Sequence, residues 1–151
     1  MNRTELTESA RTLLRGTGQG VLSTFSVKVP GYPFGSLLPY ALDPQGQPVF
    51  LVSSLAVHTK NLLADPRASL TVVEQTDAPA AVAGRLTLVG DAVRVTESEE
   101  VSLLYLERHP EASQWLGFGD FSFWRLETKA IYYVAGFGAM GWIELDPSAL
   151  D

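Results

Sequence analysis

The feature that most constrains this chain is a series of short runs rich in Val, Leu, Phe and Thr, each fenced by proline, glycine or a turn sequence. Runs at 20–29, 34–42, 49–53, 68–74, 85–95, 121–127 and 130–134 have strand length and composition. Pro30-Gly31-Tyr32-Pro33 and Asp43-Pro44-Gln45-Gly46-Gln47 are the clearest breakers between them. The run 49–53 is nearly all apolar and reads as a strand buried on both faces. With 34–42 across the Asp43–Gln47 turn, it predicts an antiparallel hairpin. Gly90 interrupts the long fifth run, where a bulge or a close backbone approach is expected. Thr128-Lys129 reads as a tight connection between the last two runs, and 142–145 as an added edge strand.

Three helices accompany the strands. Leu6, Ala10, Leu13 and Leu14 recur at helical spacing over 4–15, with Glu5 and Glu8 near the start, where they suit the helix dipole. A second helix is predicted over 55–64, with Ser53 or Ser54 as N-cap, Leu55, Leu62 and Leu63 on one face, and Asp65-Pro66 as the stop. A third covers 97–108, capped by Thr96 or Ser98, with a short helical piece running on to Leu116. Sequential strands that do not alternate with helices predict an α+β, mainly β, antiparallel barrel and exclude a doubly wound fold.

The 151 residues suit one domain, 1–151, and contain no linker, repeat or low-complexity tract. A net charge of −6 argues against a general grip on nucleic acid or anionic membrane. Without cysteine there is no disulfide or thiolate metal site, and two distant histidines make a metal cage a poor reading. No apolar run approaches the roughly 20 residues of a membrane span, and no signal-peptide core follows Met1, so a cytoplasmic protein is expected.

Ser53, Ser54, His58, Thr59 and Lys60 gather hydrogen-bond donors around one strand-to-helix junction, which suits a phosphate. Read without a ligand, Ser54 is a helix cap, and Ser53 and Thr59 face solvent. Arg85, beside Gly84, opens a strand of Leu and Val, and reads either as a ligand contact or as a rim arginine in an ion pair. Phe137 and Trp142, flanked by glycines, are the aromatics best placed to approach a ligand. Glu107, Glu111 and Asp120 stand alone, so no catalytic residue is nominated.

Gly35-Ser36-Leu37-Leu38-Pro39-Tyr40, the Asp43–Gly46 turn, Leu51 to Leu62 with its His58-Thr59-Lys60, Asp65-Pro66-Arg67-Ala68-Ser69-Leu70 and Arg85 to Gly90 follow in an order that resembles the pyridoxamine-phosphate-oxidase-like split-barrel flavoproteins. Within them the chain is similar to the HugZ/HutZ haem-utilisation branch, as is Val134-Ala135-Gly136-Phe137-Gly138. The resemblance implies a six-stranded antiparallel split β-barrel with short flanking helices. It also implies a homodimer with FMN in clefts at the subunit interface. By position, Ser36, Leu37 and Leu38 would edge the isoalloxazine. Val52, Ser53, His58 and Thr59 would hold the phosphate end, and Arg85 would contact the flavin. Phe137 and Gly138 would come from the second subunit.

The implied function is that of an FMN-dependent oxidoreductase acting on a small substrate; the alternative is a non-catalytic flavin or haem binder or carrier. Gly35 departs from the pattern where some relatives carry an arginine for the phosphate. The C-terminal stretch lacks the arginines and histidine of vitamin B6 oxidation, which is rejected. Haem breakdown in the branch relies on a histidine beyond the barrel, and no histidine follows His109. His109 itself is expected to meet carbonyls at a helix end.

Overall fold

The computed structural model describes residues 1–96, 98–136 and 138–145. Eight strands form one curled, wholly antiparallel sheet, with three helices laid against it. The strands are β1 (Gln19–Phe25), β2 (Pro33–Pro39), β3 (Ala41–Leu42), β4 (Pro48–Ser53), β5 (Arg67–Val73), β6 (Arg85–Arg94), β7 (Phe121–Val134) and β8 (Met140–Glu144). The helices are α1 (Arg3–Gly16), α2 (Val57–Ala64) and α3 (Glu99–Arg108), and a 3₁₀ turn follows at Pro110–Gln114. The order across the sheet is β2-β1-β5-β6-β7-β4-β3, and β8 pairs with β7 off this path.

The count of eight strands corrects the expectation of six, and two stretches are also divided differently from the predicted runs. The run 34–42 breaks at Tyr40, which turns inward. Its backbone N–H donates to the Gly18 carbonyl at 2.9 Å, and its hydroxyl donates to the Leu14 carbonyl at 2.6 Å. Burial raises the Tyr40 pKa well above the usual phenol range, so the hydroxyl stays a donor. The two halves then take different partners: β2 pairs with β1, and only the short β3 forms the expected hairpin with β4. Conversely, Thr128-Lys129 does not turn the chain, and 121–134 is a single strand. The Thr128 N–H is met by the Gln47 side chain at 3.0 Å, and Lys129 pairs with Asp91 at 3.0 Å.

Gly90 behaves as its position predicts. The β6–β7 register shifts between Val89 and Gly90, and any side chain there would run into the Glu127 carbonyl. The Asp43–Gln47 turn holds too: Asp43 Oδ1 accepts from the N–H groups of Gln45 and Gln47, and Gly46 takes φ +78°.

β4 is buried on both faces, as an all-apolar strand should be. Phe50 and Val52 face the main core with Leu22, Leu70, Leu88 and Leu126. Val49 and Leu51 pack with Phe123, Tyr105 and Ala112 beneath α3. α1 lays Leu6, Ala10 and Leu14 on the main core and begins with a capping box formed by Asn2 and Glu5.

Candidate functional site

Alternation along the strands divides the sheet into an inner face, which makes the core, and an outer face open to solvent. One row of directly paired residues crosses the outer face from β2 to β8: Leu37, Val21, Thr71, Thr87, Tyr132 and Trp142. None is charged. Leu37 is 67% exposed and Trp142 61%. The Thr71 and Thr87 hydroxyls lie 3.2 Å apart, and the Tyr132 and Trp142 rings meet edge to face with centroids 5.1 Å apart.

At one end of this face, a cavity of about 440 Å³ opens between β1, β5 and β6. Phe25, Pro33, Ala68 and Val89 give it an apolar wall, and Arg67 and Lys129 stand on its margin. Arg67 lies over the Phe25 ring, 4.9 Å from its centroid, and is gripped in bidentate fashion by Asp65 at 2.7 and 3.0 Å. These bonds hold the Asp65 carboxyl below its ordinary pKa and raise that of Arg67. Lys129 is paired with Asp91. Both cations are therefore present but engaged, in solvent-screened surface pairs that an incoming carboxylate can displace.

The residues nominated from sequence fall in several places. On edge strand β2, Ser36 and Leu38 share the inner face with their partners Leu22 and Gly20, whereas Leu37 points outward. Val52 is buried in the main core. Ser53 Oγ donates to Asp120 at 3.0 Å and accepts the Leu55 N–H, so it ties the β4–α2 junction to the turn before β7. His58 and Thr59 lie side by side in the first turn of α2, and His58 Nε2 and Thr59 Oγ1 are buried without a partner. Burial lowers the His58 pKa, which favours the neutral ring in the isolated chain.

Arg85 is spent on the backbone. One guanidinium nitrogen donates to the Ala80 and Ala83 carbonyls, each at 3.1 Å, about 20 Å along β6 from Asp91. Gly138 takes φ +83° in the turn leading to β8; Phe137 lies outside the described residues. The second histidine, His109, is buried with Nε2 2.7 Å from the Tyr40 carbonyl, so that nitrogen carries the proton and donates.

α2 also corrects an expectation. The helix starts at Val57, and its N-cap, Ala56, provides no side-chain hydrogen bond. Leu55 and Leu63 are exposed, and the buried residues are Thr59, Asn61 and Leu62. The sequence reading missed the outer-face cavity, because its walls come from strands far apart in the chain. The available signal was the outward set Ser23, Phe25, Ser69 and Val89, which alternation places opposite the core residues.

Among the described residues no helix is long and apolar enough to cross a membrane, and no group of His, Asp and Glu is gathered as a metal site. The curled antiparallel sheet with flanking helices defines a protein of the split-barrel kind. The chain belongs to the family described as CREG, beta-barrel, which matches it over residues 1–149.

It is 48% identical over 131 residues to the non-canonical heme oxygenase HOZ, chloroplastic, of Arabidopsis thaliana, a stretch covering 85% of this chain and 40% of the plant protein. A heme binding protein from Mycobacterium smegmatis is 32% identical with a TM-score of 0.85, over 96% of this chain and 59% of that one. This chain therefore spans less than two thirds of either relative. HutZ, a heme storage protein from Vibrio cholerae, shares the fold at 21% identity and a TM-score of 0.65, over 92% of this chain and 94% of its own.

Proposed function

We propose that this chain binds haem on the outer face of its sheet, with a second copy covering the open side of the cavity. The observation that carries the reading is an apolar wall beside two cations. Phe25, Pro33 and Val89 suit a flat macrocycle, while Arg67 and Lys129 suit its two carboxylates. Haem-named relatives support the ligand class. The uncharged row from Leu37 to Trp142 supports the second copy, since a face without charge can meet its own copy about a two-fold axis without burying unpaired ions.

Bound haem would supply redox chemistry at its iron. Of the cavity's lining, Phe25, Pro33 and Val89 would hold the macrocycle and Arg67 and Lys129 its carboxylates.

The test is a titration of haem followed by its Soret band, with sizing on the same sample. Saturable binding by a dimer is expected, weakened about tenfold in Arg67→Ala or Lys129→Ala. Affinity unchanged in both variants overturns the site. Loss of the band on adding a reductant in air would extend the reading to haem breakdown.

A second reading keeps FMN, with its phosphate at the first turn of α2. It is favoured by the unpartnered His58 Nε2 and Thr59 Oγ1 and by the uncapped N-terminus beside them. Saturable FMN binding that His58→Ala abolishes and Arg67→Ala leaves intact would support it.

A further inference from the structure

A second cavity, of about 420 Å³, lies where the C-terminal ends of α1 and α3 meet the β2–β3 junction. It shares no lining residue with the outer-face cavity. Its apolar wall includes Leu14, Leu42 and Leu104, and it carries two arginines, Arg15 from the last turn of α1 and Arg108 from the last turn of α3. Neither guanidinium is paired with a carboxylate within 4.0 Å among the described residues. In a chain of net charge −6, two unpaired guanidiniums in one cleft call for an explanation.

Arg108 is also seated in a specific way. Its guanidinium lies against Gly18, where a methyl group would stand 2.5 Å from Nη2. The missing side chain at residue 18 is what gives the guanidinium its place. Glu107 lines the cavity too. Two positive groups and one negative group leave a single excess positive charge, which matches a monoanion better than a dianion.

We infer that this cleft binds an amphiphilic monocarboxylate, with Arg15 and Arg108 clamping the carboxylate and the three leucines holding its hydrocarbon part. The inference is independent of the haem reading. A competing explanation is that each arginine only offsets the negative end of its own helix. That explanation predicts no ligand, and no effect at Gly18 on ligand binding.

The experiment is a methyl-resolved NMR titration of the whole chain with sodium octanoate, with octanol and inorganic phosphate as comparison probes. Saturable octanoate shifts are expected at Leu14, Leu42 and Leu104, with at least tenfold weaker binding of the other two probes. Arg108→Gln should weaken octanoate about tenfold, as loss of a bidentate charged contact does. Gly18→Ala should weaken it as well while the far-UV CD spectrum stays unchanged, because only the flexible end of Arg108 has to move. Glu107→Gln should tighten it. The inference is overturned by phosphate binding as tightly as octanoate. It is also overturned by octanoate shifts confined to other residues, or by octanoate affinity unchanged from the unsubstituted chain in both Gly18→Ala and an Arg15→Gln/Arg108→Gln double variant.

Discussion

α1 and α2 are held in place by opposite means. α1 buries Leu6, Ala10 and Leu14 and leaves its polar residues outside, and a capping box closes its start. α2 leaves Leu63 66% exposed, as the turn before it leaves Leu55 (73%), and buries Asn61 at 1%. Asn61 explains the inversion: its Oδ1 accepts the Val27 N–H at 3.0 Å, and its Nδ2 donates to Thr24 Oγ1 at 3.0 Å. One helix is placed by non-directional hydrophobic burial, the other by two directed hydrogen bonds that also fix the loop after β1. The first kind of anchor follows from side-chain spacing. The second depends on which groups the fold leaves unpaired.

The contrast can be broken by substitutions on each helix. Leu14→Ala removes a core side chain and should cost about 3 kcal/mol in denaturant unfolding. Asn61→Leu, apolar and of similar size, should still cost about 2 kcal/mol, because it strands the Val27 N–H and leaves the Thr24 hydroxyl only its long 3.5 Å bond to the Phe34 carbonyl. A cost near zero would mean that Leu62 alone anchors α2. Asn2→Ala, which opens the capping box of α1, should cost about 1 kcal/mol.

His58 sharpens the comparison through pH. Burial lowers its folded pKa below the ordinary 6.5, so the unfolded chain takes up the proton first. Its contribution is fully present above about pH 6.5 and is lost as the pH falls from there toward the folded pKa. His58→Gln should flatten that part of a stability-versus-pH curve, and an unchanged slope would place the titration elsewhere. Smallest of all, Leu63→Ser should change stability by less than about 0.5 kcal/mol, as for an exposed position. A larger loss that depends on protein concentration would show that a partner covers this face of α2.

Much of the fold was legible where one local cause dominates. The all-apolar 49–53 run could only be buried on both sides, Gly90 stood where another backbone had to approach, and Asp43 with Gly46 encoded their turn. The candidate sites were less legible. His58 and Thr59 are neighbours in the chain, yet nothing in the sequence says that their polar atoms are buried without a partner. Arg85 reads from sequence as either a ligand contact or a rim arginine, and only the structure shows its guanidinium on two carbonyls.

By itself the sequence determined the element types, the inward and outward alternation and the two-faced burial of β4, because these depend on residues within a few positions of one another. Only the tertiary structure decided that Tyr40 splits one predicted strand between two partners, and that Thr128-Lys129 continues a strand. It alone brought Phe25, Arg67, Val89 and Lys129 to one cavity and Arg15 and Arg108 to another. Those outcomes depend on strand pairing and register, in which a residue's neighbours are chosen by hydrogen bonds between segments distant in the chain.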